Sequence, residues 1–301
     1  MKPLVISENF RALFYAPFYA AHATGAYAAE GLDVTLRSSP SPAATAAAIR
    51  SGEADLMWGG PLRVIYAQVD DPGAELVCFC DVVSKDPFFI IGREPRPNFA
   101  LADLAGTRFA SVSEVPTPWI CLAQDLRQAG ADPDALNRIG DRSMAENAAA
   151  LARGEVDAIE VFQPYAEELL RSGAGHLWYS QASRGPTAYT MLVTRRPTLA
   201  ARREELALVT KAMARTLRWF HATDPVEIAR ALKDFFPDVA TDVFAAAITR
   251  YRALGLWSTH PMPNRAGFQW LHDAMRASGT LARDVDYAAC VDESLARAVQ
   301  P

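Results

Sequence analysis

Short apolar runs alternate with amphipathic stretches along the first two-thirds of the chain. Leu4–Ser7, Asp33–Leu36, Ala54–Trp58, Leu76–Val82 and Phe88–Gly92 read as strands. Between them, Pro17–Glu30, Ala43–Arg50 and a segment opening at Pro61 carry helical spacing and stop near glycine or a turn. Residues 93–100 are polar and proline-rich, which predicts a crossing between two lobes. The scheme then restarts. Strands are expected at Thr107–Val112 and Val156–Phe162, and helices at Pro118–Ala129, Met144–Leu151 and Pro164–Arg171. From Thr198 the period is helical throughout, and Leu217, Phe220, Leu232 and Phe236 are expected in the core of that tail. Strands alternating with helices predict an α/β chain of mostly parallel sheets flanked by helices.

The two halves repeat landmarks in the same order. Pro17 and Pro118 lie 101 residues apart, Gly52-Glu-Ala-Asp55 and Gly154-Glu-Val-Asp157 lie 102 apart, and Pro61 and Pro164 lie 103 apart. Proline suits the first position of a helix, where its missing N–H has no intrahelical acceptor. The repeat therefore predicts two lobes of one plan: residues 1–92 in the first, 93–186 in the second, and 187–301 returning to the first with a helical C-terminal tail. Ligands of parallel α/β sheets sit beyond the carboxyl ends of the strands, where these helices begin with unpaired N–H groups.

Composition narrows the function. Half of the 301 residues are hydrophobic and the formal charge is −5. A core is expected, and a nucleic-acid partner is not. No apolar run approaches the roughly 18–20 residues that cross a bilayer. Met1-Lys-Pro-Leu-Val-Ile6 lacks the pattern of a secretory signal. The chain thus reads as cytoplasmic as written, or periplasmic if a signal precedes it. Cys78, Cys80, Cys121 and Cys290 have no metal or disulfide spacing and are expected as buried thiols. No metal, cofactor or phosphate-loop motif is found.

Ala16-Pro17-Phe18-Tyr19-Ala20-Ala21, Gly25-Ala26-Tyr27, Glu30-Gly31-Leu32-Asp33-Val34, Ser51-Gly52-Glu53-Ala54-Asp55, Asp103-Leu104-Ala105-Gly106-Thr107-Arg108 and Arg153-Gly154-Glu155-Val156-Asp157-Ala158 with Gln163-Pro164-Tyr165 form an ordered set. That set resembles the nitrate/sulfonate/pyrimidine-type solute-binding proteins of ABC transporters, a family that includes thiamin pyrimidine synthase-like domains. The resemblance implies a type II periplasmic-binding-protein fold, two-lobed, with a ligand cleft between lobes. It implies hinges near 88–95 and 184–190, a monomer, and delivery to an ABC permease. The synthase's cofactor-linked lysine and its histidines are not matched. Gly59 and Arg63 stand at the corresponding positions, and Tyr15 stands near the first-loop histidine. A related sulfinate desulfinase carries a cysteine after the first strand, and Asn9-Phe10-Arg11 has none.

Candidate ligand contacts follow from the strand ends. Asn9, Phe10, Arg11, Phe14 and Tyr15 occupy the first loop. Trp58-Gly59-Gly60 precedes the Pro61 helix, and its glycines permit close approach or positive φ. Arg63 lies in that helix's first turn, against the dipole. Ser113, Thr117 (as an N-cap) and Trp119 are the second-lobe counterparts, with Glu160, Phe162 and Gln163 at the next edge and Tyr189 at the return crossing. Glu160 needs a partner if buried, such as a ligand N–H or Arg63. Three functions compete: a solute receptor for a small anionic or heteroaromatic ligand, a cytoplasmic decarboxylase, desulfinase or pyrimidine-synthase-like enzyme, and a ligand sensor without a permease. The departures above weigh toward a non-catalytic receptor.

Overall fold

The computed structural model describes residues 2–39 and 41–299, leaving the Pro42 side chain aside. In chain order the strands are β1 (Lys2–Ser7), β2 (Leu32–Arg37), β3 (Leu56–Gly59), β4 (Leu76–Val83), β5 (Phe89–Gly92), β6 (Arg108–Ala110), β7 (Asn137–Ile139), β8 (Ala158–Val161), β9 (His176–Ser180) and β10 (Thr190–Arg195). The helices are α1 (Ala16–Ala23), α2 (Pro42–Ser51), α3 (Pro61–Asp70), α4 (Thr117–Gln128), α5 (Met144–Ala152), α6 (Tyr165–Ser172), α7 (Arg196–Ala201), α8 (Arg203–Ala222), α9 (Pro225–Ala231), α10 (Thr241–Ala253), α11 (Arg265–Ala277), α12 (Tyr287–Cys290) and α13 (Ser294–Arg297).

Two compact units result. The first comprises Met1–Lys85, Pro186–His272 and Leu281–Pro301, and the second Asp86–Gly185 and Asp273–Thr280. The first crossing is therefore at Lys85–Asp86, not at 92–93. Phe89–Gly92 bonds to β8 and β9 of the second unit, so its apolar run opens that unit instead of closing the first. Part of α11 and the turn after it also belong with the second unit, within a tail expected wholly in the first.

Each unit has the same sheet. The first is ordered β2-β1-β3-β10-β4 and the second β7-β6-β8-β5-β9. In both, three neighbouring strands run parallel, and the fourth in the order runs antiparallel to the strands on either side of it. That fourth strand is the one the chain makes just after a crossing: β10 in the first sheet and β5 in the second.

The repeated Gly-Glu-x-Asp element has a structural cause. Gly52 and Gly154 take φ of 80° and 75° where α2 and α5 end, a conformation costly for any residue with a Cβ. Three residues on, the Asp55 carboxylate accepts the Val5 N–H at 2.9 Å, and Asp157 accepts the Arg108 N–H at 2.9 Å. Their own N–H groups donate to the Val5 and Arg108 carbonyls, 2.9 Å each. Each aspartate thus splices one strand to the next before regular pairing begins.

The prolines vary more than the sequence predicts. Pro61 is the first residue of α3, whereas Ala16 and Thr117 precede Pro17 and Pro118 within their helices. Pro164 lies outside α6 as its N-cap, after a cis peptide bond. Thr117 is consequently a helical residue, with Pro116 at the cap position, and it does not cap α4 through its side chain. The expected helix 17–30 stops at Ala23, because Gly25 turns left-handed (φ 68°) and a 3-10 turn, Ala28–Glu30, follows. Leu217, Phe220, Leu232 and Phe236 are buried, as the tail's periodicity predicts. In the second unit Ile90, Leu104, Phe109, Leu122, Leu126 and Trp178 lie in one buried cluster.

Candidate functional site

At the strand ends of the first unit, β1 runs into Glu8-Asn9-Phe10-Arg11. Glu8 is buried, and it organises the loop. Its carboxylate accepts from Arg11 Nη2 at 2.9 Å, from Tyr19 Oη at 2.5 Å and from the Ser38 hydroxyl. Burial alone would raise the Glu8 carboxyl, but the bonds from Ser38, Tyr19 and Arg11 hold it below its ordinary value. Arg11 also donates to the Phe235 carbonyl at 3.1 Å. Arg11 is thus bound within the loop's own scaffold.

The remaining first-unit candidates converge. Tyr15 is buried, with Asn9 Nδ2 at 3.5 Å from its hydroxyl and the Thr190 hydroxyl and Arg63 beside it. Burial pushes the Tyr15 phenol up to about 12 against those three groups, so it stays a neutral hydrogen-bonding group. Arg63, half-buried in the first turn of α3, makes no side-chain hydrogen bond or ion pair with the described residues. Burial lowers its pKa, and only the neighbouring Tyr15 opposes that. Phe10 meets the rings of Phe14 and Tyr15 edge-on at 6.1 and 5.3 Å, and Phe14 meets Tyr189 at 6.0 Å.

Trp58 lies behind this cluster in the core, fully buried and stacked on Phe18 at 4.9 Å. Gly59 closes β3 and is buried. Gly60 has φ −70°, so it is not there for a left-handed turn. A Cβ on it would come within 3.3 Å of the Tyr189 carbonyl, and it is this close backbone approach that favours glycine. No side chain caps α3.

The second unit's candidates are dispersed. Ser113 is exposed and Thr117 partly so. Trp119 leans on Phe109 at 6.5 Å beneath the Arg138 guanidinium, 4.2 Å from its ring, which makes it a packing residue of α4. Gln163 is buried, and its Oε1 accepts the Glu167 N–H at 2.9 Å, serving the first turn of α6. Phe162 packs against Phe88 at 5.2 Å.

Glu160 belongs to a buried network that the sequence reading missed. Its Oε1 accepts from Gln181 Nε2 at 2.5 Å, while Oε2 has no hydrogen-bond partner among the described residues. Gln181 Oε1 accepts from Arg184 Nη2 at 2.8 Å. Arg184, its side chain 3% exposed, donates to Asp125 through Nε at 2.8 Å and to Asp86 through Nη1 at 2.8 Å. Burial, with Asp86 adding to it, pushes the Glu160 carboxyl up to about 8 against Gln181 and Arg184. The partner that a buried Glu160 requires is thus Gln181, in its own unit. Nothing local flags this network, because Asp86, Asp125, Glu160 and Arg184 are far apart in sequence.

Among the described residues no group of three or more His, Cys, Asp or Glu side chains is arranged to hold a metal, and the four cysteines are buried and unbridged.

A family model described as NMT1/THI5 like matches residues 14–228. The chain belongs to the NMT1/THI5-like family. YtlA of Bacillus subtilis (strain 168) is 26% identical over 296 residues, covering 98% of this chain and 89% of YtlA. The periplasmic aliphatic sulphonate binding protein SsuA of Escherichia coli superposes with a TM-score of 0.77 at 18% identity, over 96% of each chain. The periplasmic nitrate-binding protein NrtA of Synechocystis PCC 6803 does so at 0.72 and 14% identity, over 99% of this chain and 88% of that one. This member of the family therefore has the α/β fold of periplasmic binding proteins.

Proposed function

We propose that the protein is the solute-capturing component of an ABC-type importer, and that it binds a small organic anion at the strand ends of the first unit. Arg63 carries the reading. A half-buried guanidinium in the first turn of a helix is disfavoured by the helix dipole and by partial desolvation. No carboxylate of the described chain pairs with it; Tyr15 lies beside it, and Asn9 and Thr190 beside Tyr15 add neutral amide and hydroxyl donors. A donor-rich site with an unpaired cation suits an anionic head group. The Phe10, Phe14 and Tyr189 rings suit an apolar or flat body beside it.

Two fold neighbours are named for binding sulphonate and nitrate, both anions. Delivery to a permease and capture outside the cytoplasmic membrane complete the proposal. Among the described residues no helix is long and apolar enough to cross a membrane.

Native mass spectrometry of freshly purified protein is the test. A co-purified small anion, lost in Arg63→Gln, is the expected result. A co-purified cation, or turnover of the captured molecule, would overturn the reading.

A further inference from the structure

The buried network of the second unit lies on the two segments by which the chain first enters and leaves that unit. Asp86 is its first residue, and Arg184 stands one residue before Gly185, where the chain departs. Asp86 Oδ1 accepts the Phe88 N–H at 3.0 Å, and Gln181 and Arg184 share one 3-10 turn, Gln181–Arg184. Arg184 joins the segments through Asp86 and anchors both to α4 through Asp125. Glu160, at the end of β8, completes the chain of bonds through Gln181.

We infer that Glu160 is a proton-operated latch: its protonated carboxyl keeps the entry and exit segments ordered, and their local opening is coupled to loss of that proton. The groups facing it are Gln181 and Arg184 from the exit turn, Asp86 from the entry segment, Cys121 from α4 and the Val112 N–H beyond β6. Asp125 shares the same guanidinium. One arginine thus already serves two aspartates. Among the described residues a third negative charge finds no further cation, and at its Oε2 no donor reaches hydrogen-bonding geometry; the Val112 N–H only partly offsets the burial. Ionised Glu160 is solvated only when its cover opens to water.

Linkage sets the direction. The closed carboxyl holds its proton up to about pH 8, and one exposed to water titrates near its ordinary 4.5. Between those values the opening equilibrium rises about tenfold per pH unit, and it levels off above the higher one. The inference rests on the network and not on the ligand reading.

Hydrogen exchange of the full chain from pH 5.5 to 7.5 tests it, with β1 amides as the internal control for base-catalysed exchange. Amides of 86–89 and 181–185 are expected to gain about a hundredfold more than the control over that range. In Glu160→Gln they are expected to follow the control. A carbon-detected titration of the parent's Glu160 carboxyl gives an answer even if that variant fails to fold, and an apparent pKa well above the other glutamates is expected. Segment amides that track the control in the parent, a Glu160 that titrates with the exposed glutamates, or a pH dependence that persists in Glu160→Gln would each overturn the latch.

Discussion

Replacing Arg184 by methionine isolates what the buried network contributes. The substitution keeps much of the side-chain volume and removes the charge and every donor. Asp86, fully buried, and Asp125, 4% exposed, then lose the cation that both contact. Removing one partner of a buried ion pair costs about 3–5 kcal/mol, because the stranded charge keeps its desolvation penalty. A domain's total stability is about 5–15 kcal/mol, so Arg184→Met is expected to leave the second unit marginal. Two units need not unfold together, so native-state hydrogen exchange of the β5 and β8 amides is the suitable measurement, giving a free energy for this unit alone. The triple variant Asp86→Asn, Asp125→Asn, Arg184→Met removes the stranded charges as well and is expected to recover most of the loss. A cost below about 1 kcal/mol for Arg184→Met, or a triple variant no more stable than the single one, would refute the reasoning.

Three further outcomes are expected. Arg63→Gln lowers affinity for the co-purified ligand by about tenfold to a hundredfold, the value of one charge-assisted hydrogen bond, while leaving the urea midpoint unchanged; titration calorimetry and urea unfolding read the two. Gly267→Ala costs about 1–3 kcal/mol in urea unfolding, since its Cβ would sit 2.9 Å from the Ala188 nitrogen and 3.1 Å from the Thr187 carbonyl carbon. Asp157 is held down to about 2, chiefly by the hydrogen bond from Arg108, against an ordinary 3.8. Its stabilisation is therefore complete above 3.8 and lost as pH falls through 2, so thermal unfolding of Asp157→Asn falls short of the parent at pH 7 and converges on it toward pH 2.

Much of the fold is legible because its signals are short-range. A glycine that must turn left-handed, an aspartate three residues later and a proline near a helix start are local demands, and they recur because the two sheets share one plan. The crossing at Lys85–Asp86 is not legible. Phe88–Gly92 is as apolar as β4, and only its partners, β8 and β9, assign it to the second unit. The strands β7, β9 and β10 are less legible: turns precede them at Pro133, Gly173 and Gly185-Pro186, but β7 is three residues long and mostly polar, and β9 opens on His176 without a continuous apolar run. In the candidate site, the placement of Arg63 in the first turn of α3 is legible, because Pro61 marks where that helix begins. The Arg11–Glu8 pair is not legible, because nothing local shows that Glu8, just past the end of β1, is buried. Arg184 was missed because its partners lie 59 and 98 residues away.

The antiparallel strand inserted in each sheet dictates an order of assembly. β4 reaches β3 only through β10, so the sheet that is begun first cannot be finished until residues 190–195 have been made. The second sheet has all five strands once residue 180 is present. On the ribosome, therefore, the later-begun unit can complete its sheet first. Cys78 and Cys80 on β4, and the Arg63 cluster that lacks Tyr189 and Thr190 until then, wait unfinished, and a nascent chain stalled before β10 presents an open sheet edge to any chaperone within reach.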